Sequence, residues 1–306
     1  MKSSLTTHHA PIKSWLDKHF KGDPVIWSIV FLLSSISILA VFSATGPLAY
    51  KHMQGDTVYY LFKHTILIVF SLFFMWLAHK IDYRFYSKIS KFALWISVPL
   101  LIFMLFVGET IHGATRWITI PVINQSFQPS DFAKLALIAN VASILAKKQQ
   151  NIADIRDSIA PLLLWCGIIC TLIGFTDISS AILLFATCML LMFIGRVPVR
   201  YLLMLCIVGL IVGSIVLTLG QRKGTAISRI KNFIDSTEVP FQARQSYIAI
   251  ATGGWFGKWA GKSEQRNFLP QPYSDFIYAI IIEEYGLLGG FLWYFCTWHY
   301  FTEVWL

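Results

Sequence analysis

The stretch F-L-P-Q-P-Y-S-D-F-I-Y-A-I-I-I-E-E-Y-G-L-L-G-G, residues 268–290, decides how the chain is read. Asp275 stands where a polar segment meets an apolar helix, and Glu283 and Glu284 fall about two turns deeper. A carboxylate at the centre of a span costs about 2.5 to 3.5 kcal/mol on insertion scales. Structure alone rarely retains such groups, so the segment is a candidate functional site.

The rest of the chain supplies the membrane this reading needs. Of its 306 residues 56% are hydrophobic and 13% charged, and several runs exceed the roughly 18 apolar residues that mark a spanning helix. The fold class is all-α, a polytopic transmembrane protein. Hydropathy predicts about eight spans, at 26–44, 62–79, 91–108, 129–146, 158–175, 178–194, 201–220 and 276–298. No cleavage-site pattern follows the first run, which reads as a retained span. With no internal repeat or linker, residues 1–306 read as one membrane domain.

Lys and Arg in the short loops set the orientation. Lys13, Lys18 and Lys21, then Lys80, Arg84, Lys88 and Lys91, then Lys147, Lys148 and Arg156, then Arg196 and Arg200 share one side. That side is cytoplasmic by the positive-inside rule, which puts residues 1–24 inside. Residues 221–275 then form a large outer loop. Long loops translocate whatever their charge, so its net-basic character leaves the topology intact. Such a loop suits an anionic partner such as a phosphorylated lipid, or serves as a solvated surface. Residues 12–20 place Ile12, Trp15, Leu16 and Phe20 near one helical face, as in a short interfacial helix.

Several chemistries find no support. The five cysteines all fall in apolar spans, and neither they nor the eight histidines show metal-ligand spacing. No Walker loop is present, which argues against nucleotide-driven transport. No nucleic-acid partner is expected.

Other polar residues merit attention. Lys134, in F-Q-P-S-D-F-A-K at 127–134, sits near a helix amino end whose dipole repels cations, so it needs an anion. Asp131, three residues earlier, supplies a structural pair; a substrate phosphate supplies a functional one. Arg116, in G-A-T-R-W at 113–117, could hold a phosphate beside the stacking surface of Trp117 or anchor the loop at the aromatic belt. Asp177, at the short turn before I-S-S-A, reads as a helix cap. Gln245 and Ser246 offer uncharged groups suited to sugar hydroxyls, just before the glycines 253, 254 and 257. Asp275, after Ser274, reads either as a cap or as a base. Glu283 lies eight residues on, roughly 12 Å along a helix axis, too far to face it as an acid/base pair.

Taken in order, G-A-T-R-W-I, F-Q-P-S-D-F-A-K-L-A-L, T-D-I-S-S-A-I-L-L, R-I-K-N-F-I-D, F-Q-A-R-Q-S, G-G-W-F-G and the opening stretch resemble the SEDS proteins, the FtsW/RodA family of shape, elongation, division and sporulation. The likeness runs over about 113–290, and the basic amino-terminal extension favours the FtsW branch. The resemblance implies a peptidoglycan glycosyltransferase in the bacterial cytoplasmic membrane, polymerising lipid II for cell division or elongation beside a class B penicillin-binding transpeptidase and other divisome or elongasome proteins. It implies Asp275 as the catalytic carboxylate, Arg116, Trp117, Lys134, Gln245, Ser246 and Lys258 as substrate-binding, and Asp131, Asp177, Glu283 and Glu284 as supporting residues. A divalent cation, Mg or Mn, is a possible cofactor. A lipid II flippase and a non-catalytic division scaffold are the alternatives.

The sequence departs from the family in places. Relatives often carry Glu-Ala-His-Thr-Asp where this chain has Gln271, Pro272, Tyr273, Ser274 and Asp275, and an acid at Asn267. Trp259 follows Lys258 where relatives have glycine. Members usually have about ten spans, so the expectation is that the final helices are missing after the eighth.

Overall fold

The computed structural model describes residues 23–46, 57–111, 114–120, 125–152, 154–219, 224, 228, 239–269 and 272–305. The apolar runs become helices, and polar residues set where they begin. Asp23 caps α1 (Pro24–Ala44), accepting from Val25 N at 2.7 Å ahead of a proline in the first turn. Helix α2 spans Thr57–Lys80. Asp82 caps α3 (Tyr83–Val107) through Arg84 N at 2.9 Å. Helix α4 (Pro129–Lys147) again opens on proline. A π-helical turn, Ile155–Ile159, leads into α5 (Ala160–Thr176), and α6 (Ile178–Ile194) follows after one residue. Helix α7 is Val199–Leu219, α8 is Phe241–Gly253 and α9 is Ile277–Trp305.

Seven stretches among the described residues are long and apolar enough to cross a bilayer. Helix α6, the remaining expected span, has 17 residues, about 25 Å at 1.5 Å per residue and the short end of what a bilayer needs. The third span starts eight residues before the expected 91. Its first turns carry Arg84, Lys88 and Lys91, which depress hydropathy without interrupting the helix.

Three features lie outside the all-helical expectation. A small antiparallel sheet joins α3 to α4, with order β1 (Glu109–Ile111), β2 (Ala114–Ile120), β3 (Gln125–Phe127). Helix α8 lies inside the expected outer loop. Helix α9 breaks at Gly286, where φ is 71° and ψ −175°. The expected interfacial helix at 12–20 and the stretch R-I-K-N-F-I-D at 229–235 lie outside the described residues.

The chain divides into two compact units, Met1–Ile81 with Thr237–Leu306, and Asp82–Ser236. In the first, α9 packs on α8 and α1. In the second, α3 to α7 enclose a core that includes Leu94, Leu101, Met104, Leu137, Ile169 and Met192.

Candidate active site

The turn before α9 is pinned by its apolar members. Tyr273, Phe276 and Ile277 pack on a small cluster of Ala44, Leu269 and Ile280, and Pro272 is buried. Between them Ser274 and Asp275 remain exposed. Burying the flanks of Y-S-D-F leaves the carboxylate facing outward. Ser274 Oγ donates to Asp275 Oδ1 at 2.9 Å. The first helical bond runs from Ile280 N to Phe276 O, 3.2 Å, so the helix starts at Ile277, two residues after Asp275. Among the described residues the Asp275 side chain caps no amide; the capping reading of this residue is not realised.

Glu283 and Glu284 are almost completely buried, and both accept hydrogen bonds. Glu283 accepts from Lys258 Nζ at 3.0 Å and Glu264 N at 3.1 Å on one oxygen, and from Ser263 Oγ at 2.5 Å and Gln265 N at 3.3 Å on the other. Glu284 accepts from Ser43 Oγ at 2.5 Å and Ser263 N at 3.3 Å. Ser43 in turn accepts from Gly261 N at 3.1 Å, and its carbonyl from Arg266 Nη1 at 2.7 Å. A buried charge is tolerated only when hydrogen-bonded and paired. These two carboxylates tie residues 258–266 to α9, and Ser43 ties them to α1.

The break in α9 belongs to the same device. Where the helix opens, Lys258 N donates to Glu283 O and Trp259 N to Glu284 O, both at 2.9 Å, while Leu287 N donates to Gly254 O at 2.9 Å. Residues 254–259 thus satisfy the backbone groups that the break frees, as a membrane-level helix requires. Two glycines permit the approach. A Cβ on Gly257 (φ 77°) would meet Glu284 O at 2.2 Å, and one on Gly286 would meet Trp255 O at 2.2 Å. Trp259 adopts φ 77° and stays exposed.

The other expected residues fall into place as follows. Gln245 and Ser246 lie half-buried on α8, in the unit of Asp275, with Ser246 Oγ donating to Ala243 O at 2.7 Å. Lys258, besides Glu283, reaches Glu264 at 3.7 Å, so its ammonium is committed to holding the loop. Arg116, Trp117, Asp131, Lys134 and Asp177 belong to the other unit. There Arg116, on β2, bonds Asp177 at 2.9 Å and donates to Thr176 O at 3.1 and 3.2 Å, pinning the sheet to the α5–α6 turn. Asp177 also caps α6 through Ser180 N at 3.2 Å. Trp117 is half-buried and pairs with Glu109 across the β1–β2 ladder. Lys134 bonds Asp131 at 2.9 Å on an accessible face. Ser43, Ser263 and Arg266 were not singled out from the sequence; two carboxylates deep in a span demand donors, but nothing local names them.

The structure is that of a polytopic helical membrane protein with residues 254–266 locked onto a broken helix and an exposed carboxylate, Asp275, just before that helix begins. The chain belongs to the FtsW/RodA/SpoVE family of cell cycle proteins, whose model matches residues 23–302. It is 32% identical over 288 residues to stage V sporulation protein E of Bacillus subtilis, covering 90% of this chain and 76% of that protein. It is 30% identical over 272 residues to a probable peptidoglycan glycosyltransferase FtsW of Geobacter sp. strain M18, covering 87% of this chain and 73% of the relative. The fold is similar to the crystal structure of Thermus thermophilus rod shape determining protein RodA, with a TM-score of 0.55 and 22% identity over 90% of this chain and 72% of that one. A peptidoglycan synthase complex described as coordinating polymerization and crosslinking contains a chain of similar fold, with a TM-score of 0.57 and 19% identity over 88% of this chain and 74% of that one.

Proposed function

We propose that the protein is a peptidoglycan glycosyltransferase that polymerises lipid II, with Asp275 as the general base. The observation that carries this reading is Asp275 itself: an exposed carboxylate on a rigidly pinned turn, making no ion pair among the described residues. A sugar 4-hydroxyl attacking an anomeric carbon must lose its proton, and Asp275 takes it. The bond to the undecaprenyl pyrophosphate oxygen breaks as the glycosidic bond forms. Pyrophosphate leaves as an anion, so a single carboxylate suffices and cations must meet the leaving charge. Arg244 on α8 and Lys262 in the following loop are exposed cations of the same unit suited to that task. Gln245 and Ser246 are the contacts proposed for sugar hydroxyls or amides, and Arg116, Trp117 and Lys134 are the substrate contacts proposed in the other unit.

The protein acts in the cytoplasmic membrane with its amino terminus inside, an orientation supported by the Lys/Arg bias of its short loops. A class B penicillin-binding transpeptidase is the proposed partner, supported by the likeness to a synthase complex and by the need to crosslink nascent strands; other divisome or elongasome proteins join it. Among the described residues no cluster of three acidic, His or Cys side chains could cage a metal. A Mg or Mn ion, the proposed cofactor, would be held chiefly by the substrate pyrophosphate.

The test is polymerisation of labelled lipid II by the purified protein and by Asp275→Asn. Loss of about 10² to 10⁴ in rate is expected for removal of a general base. Polymerisation at the wild-type rate would overturn the assignment, and lipid II transport without polymer from the wild type would favour the flippase.

A further inference from the structure

A groove of about 580 Å³ opens between the first turns of α3 and the last turns of α4, and it contains none of the residues assigned to the reaction. Its rim carries three exposed cations, Arg84, Lys88 and Lys147. None of the three is in an ion pair among the described residues. The neighbouring carboxylate, Asp82, is spent on capping α3, and the next acid along, Asp157, pairs with Lys148 at 3.6 Å.

The groove's floor has different chemistry. Ala139, Ala142 and Ala146 recur at helical spacing on α4 and leave a shallow apolar channel. A hydrogen bond of 2.7 Å between Ser87 and Ser143 closes its back, so no polar atom there awaits a partner. Tyr83, at the mouth, is 76% exposed, as an interfacial aromatic would be.

Cations above an alanine channel at the membrane's edge call for a ligand that is anionic at one end and hydrocarbon at the other. We infer that this groove binds an anionic glycerophospholipid of the inner leaflet, its phosphate held by Arg84, Lys88 and Lys147 and one acyl chain lying along Ala139, Ala142 and Ala146. A free phosphate would use the rim alone and leave the channel unexplained. Basic pockets between helices on the cytoplasmic side recognise lipid headgroups in this way. The choice of leaflet rests on the orientation proposed above; the binding does not.

Native mass spectrometry of the full chain, with equimolar phosphatidylglycerol and phosphatidylcholine, tests the inference without reference to orientation or polymerisation. Phosphatidylglycerol should be retained in preference. Arg84→Gln/Lys88→Gln/Lys147→Gln should lose roughly five-fold in that preference for each cation removed. Ala142→Trp, which fills the channel and keeps every charge, should lose bound lipid as well. Arg196→Gln/Arg200→Gln, on the same side but outside the groove, should keep the preference, and excess glycerol 3-phosphate should not displace the lipid. Should the triple variant fail to fold, Lys88→Gln alone carries the test with a single five-fold step. Retained preference in the groove variants, equal loss in the Arg196/Arg200 control, or full displacement by glycerol 3-phosphate would overturn the site.

Discussion

Lys258 places its ammonium 3.0 Å from Glu283, a carboxylate with no solvent exposure, and so joins residues 258–266 to the second turn of α9. The pair is not isolated, since Ser263 Oγ and the amides of Glu264 and Gln265 complete the shell around the same carboxylate. It is therefore a clamp on the loop that leads to Asp275.

Removing the carboxylate should cost more than removing the cation. Glu283→Ala leaves the amides of Glu264 and Gln265 without their acceptor, at about 1 to 3 kcal/mol each, and opens a void where a fully buried side chain stood. Lys258→Met leaves Glu283 three donors and should cost about 1 to 3 kcal/mol. Thermal melts in detergent check the ranking. A Lys258→Met/Glu283→Ala double variant should fall short of the sum, because the two share one network.

The glycines of the broken helix give a second test. Gly257→Ala and Gly286→Ala would each drive a Cβ to 2.2 Å from a carbonyl oxygen, so both should abolish accumulation of folded protein. Gly261 shares a positive φ, 79°, yet faces open space. Gly261→Ala should cost only the backbone strain, about 1 to 2 kcal/mol. Equal damage from all three would show that dihedral strain, not close approach, explains the motif.

The spanning helices were readable because each carries a long apolar run, and α9 stood out because Asp275 and the paired glutamates interrupt or border such a run; the 13-residue α8 carries none and was not. The partners of those glutamates were hidden because they are distant: Ser43 lies 241 residues from Glu284. The break at Gly286 was hidden because glycine also occurs at 289 and 290 within one continuous helix. The sheet left a fainter trace in the alternation T-R-W-I-T-I at 115–120, which a search tuned to spanning helices passes over. Arg116 and Asp177 were each singled out, but their pairing depends on how β2 meets the α5–α6 turn and no local pattern encodes it.

Lys134 and Asp131 separate on function. Their bond is accessible, and exposed pairs contribute about 0 to 1 kcal/mol, so Asp131→Asn should change melting and lipid II binding little. If Lys134 contacts the substrate phosphate, Lys134→Ala should weaken lipid II binding about ten-fold or more, the scale of a charge-assisted hydrogen bond. Binding isotherms with both variants decide; parallel losses would assign Lys134 to the pair alone.

Topology can be read chemically at Lys262, which is exposed, whereas its neighbour Ser263 is buried against Glu283 and would report poorly. The native cysteines sit within helices α5, α6, α7 and α9, away from a membrane-impermeant maleimide. Lys262→Cys should react in intact cells, and Gln149→Cys, beyond the end of α4, only after lysis. The reverse pattern would invert the chain in the membrane.

Asp275 offers the sharpest separation of structure from chemistry. Because α9 begins at Ile277 and the Asp275 carboxylate bonds only Ser274 among the described residues, its loss should not destabilise the helix. A residue that capped would cost about 0.5 to 2 kcal/mol on replacement by alanine and far less by asparagine. Asp275→Ala and Asp275→Asn should therefore melt alike, close to wild type, retain lipid II binding, and both lose polymerisation. A lower melting temperature for alanine alone would restore the capping role, and full activity in either variant would place the base elsewhere.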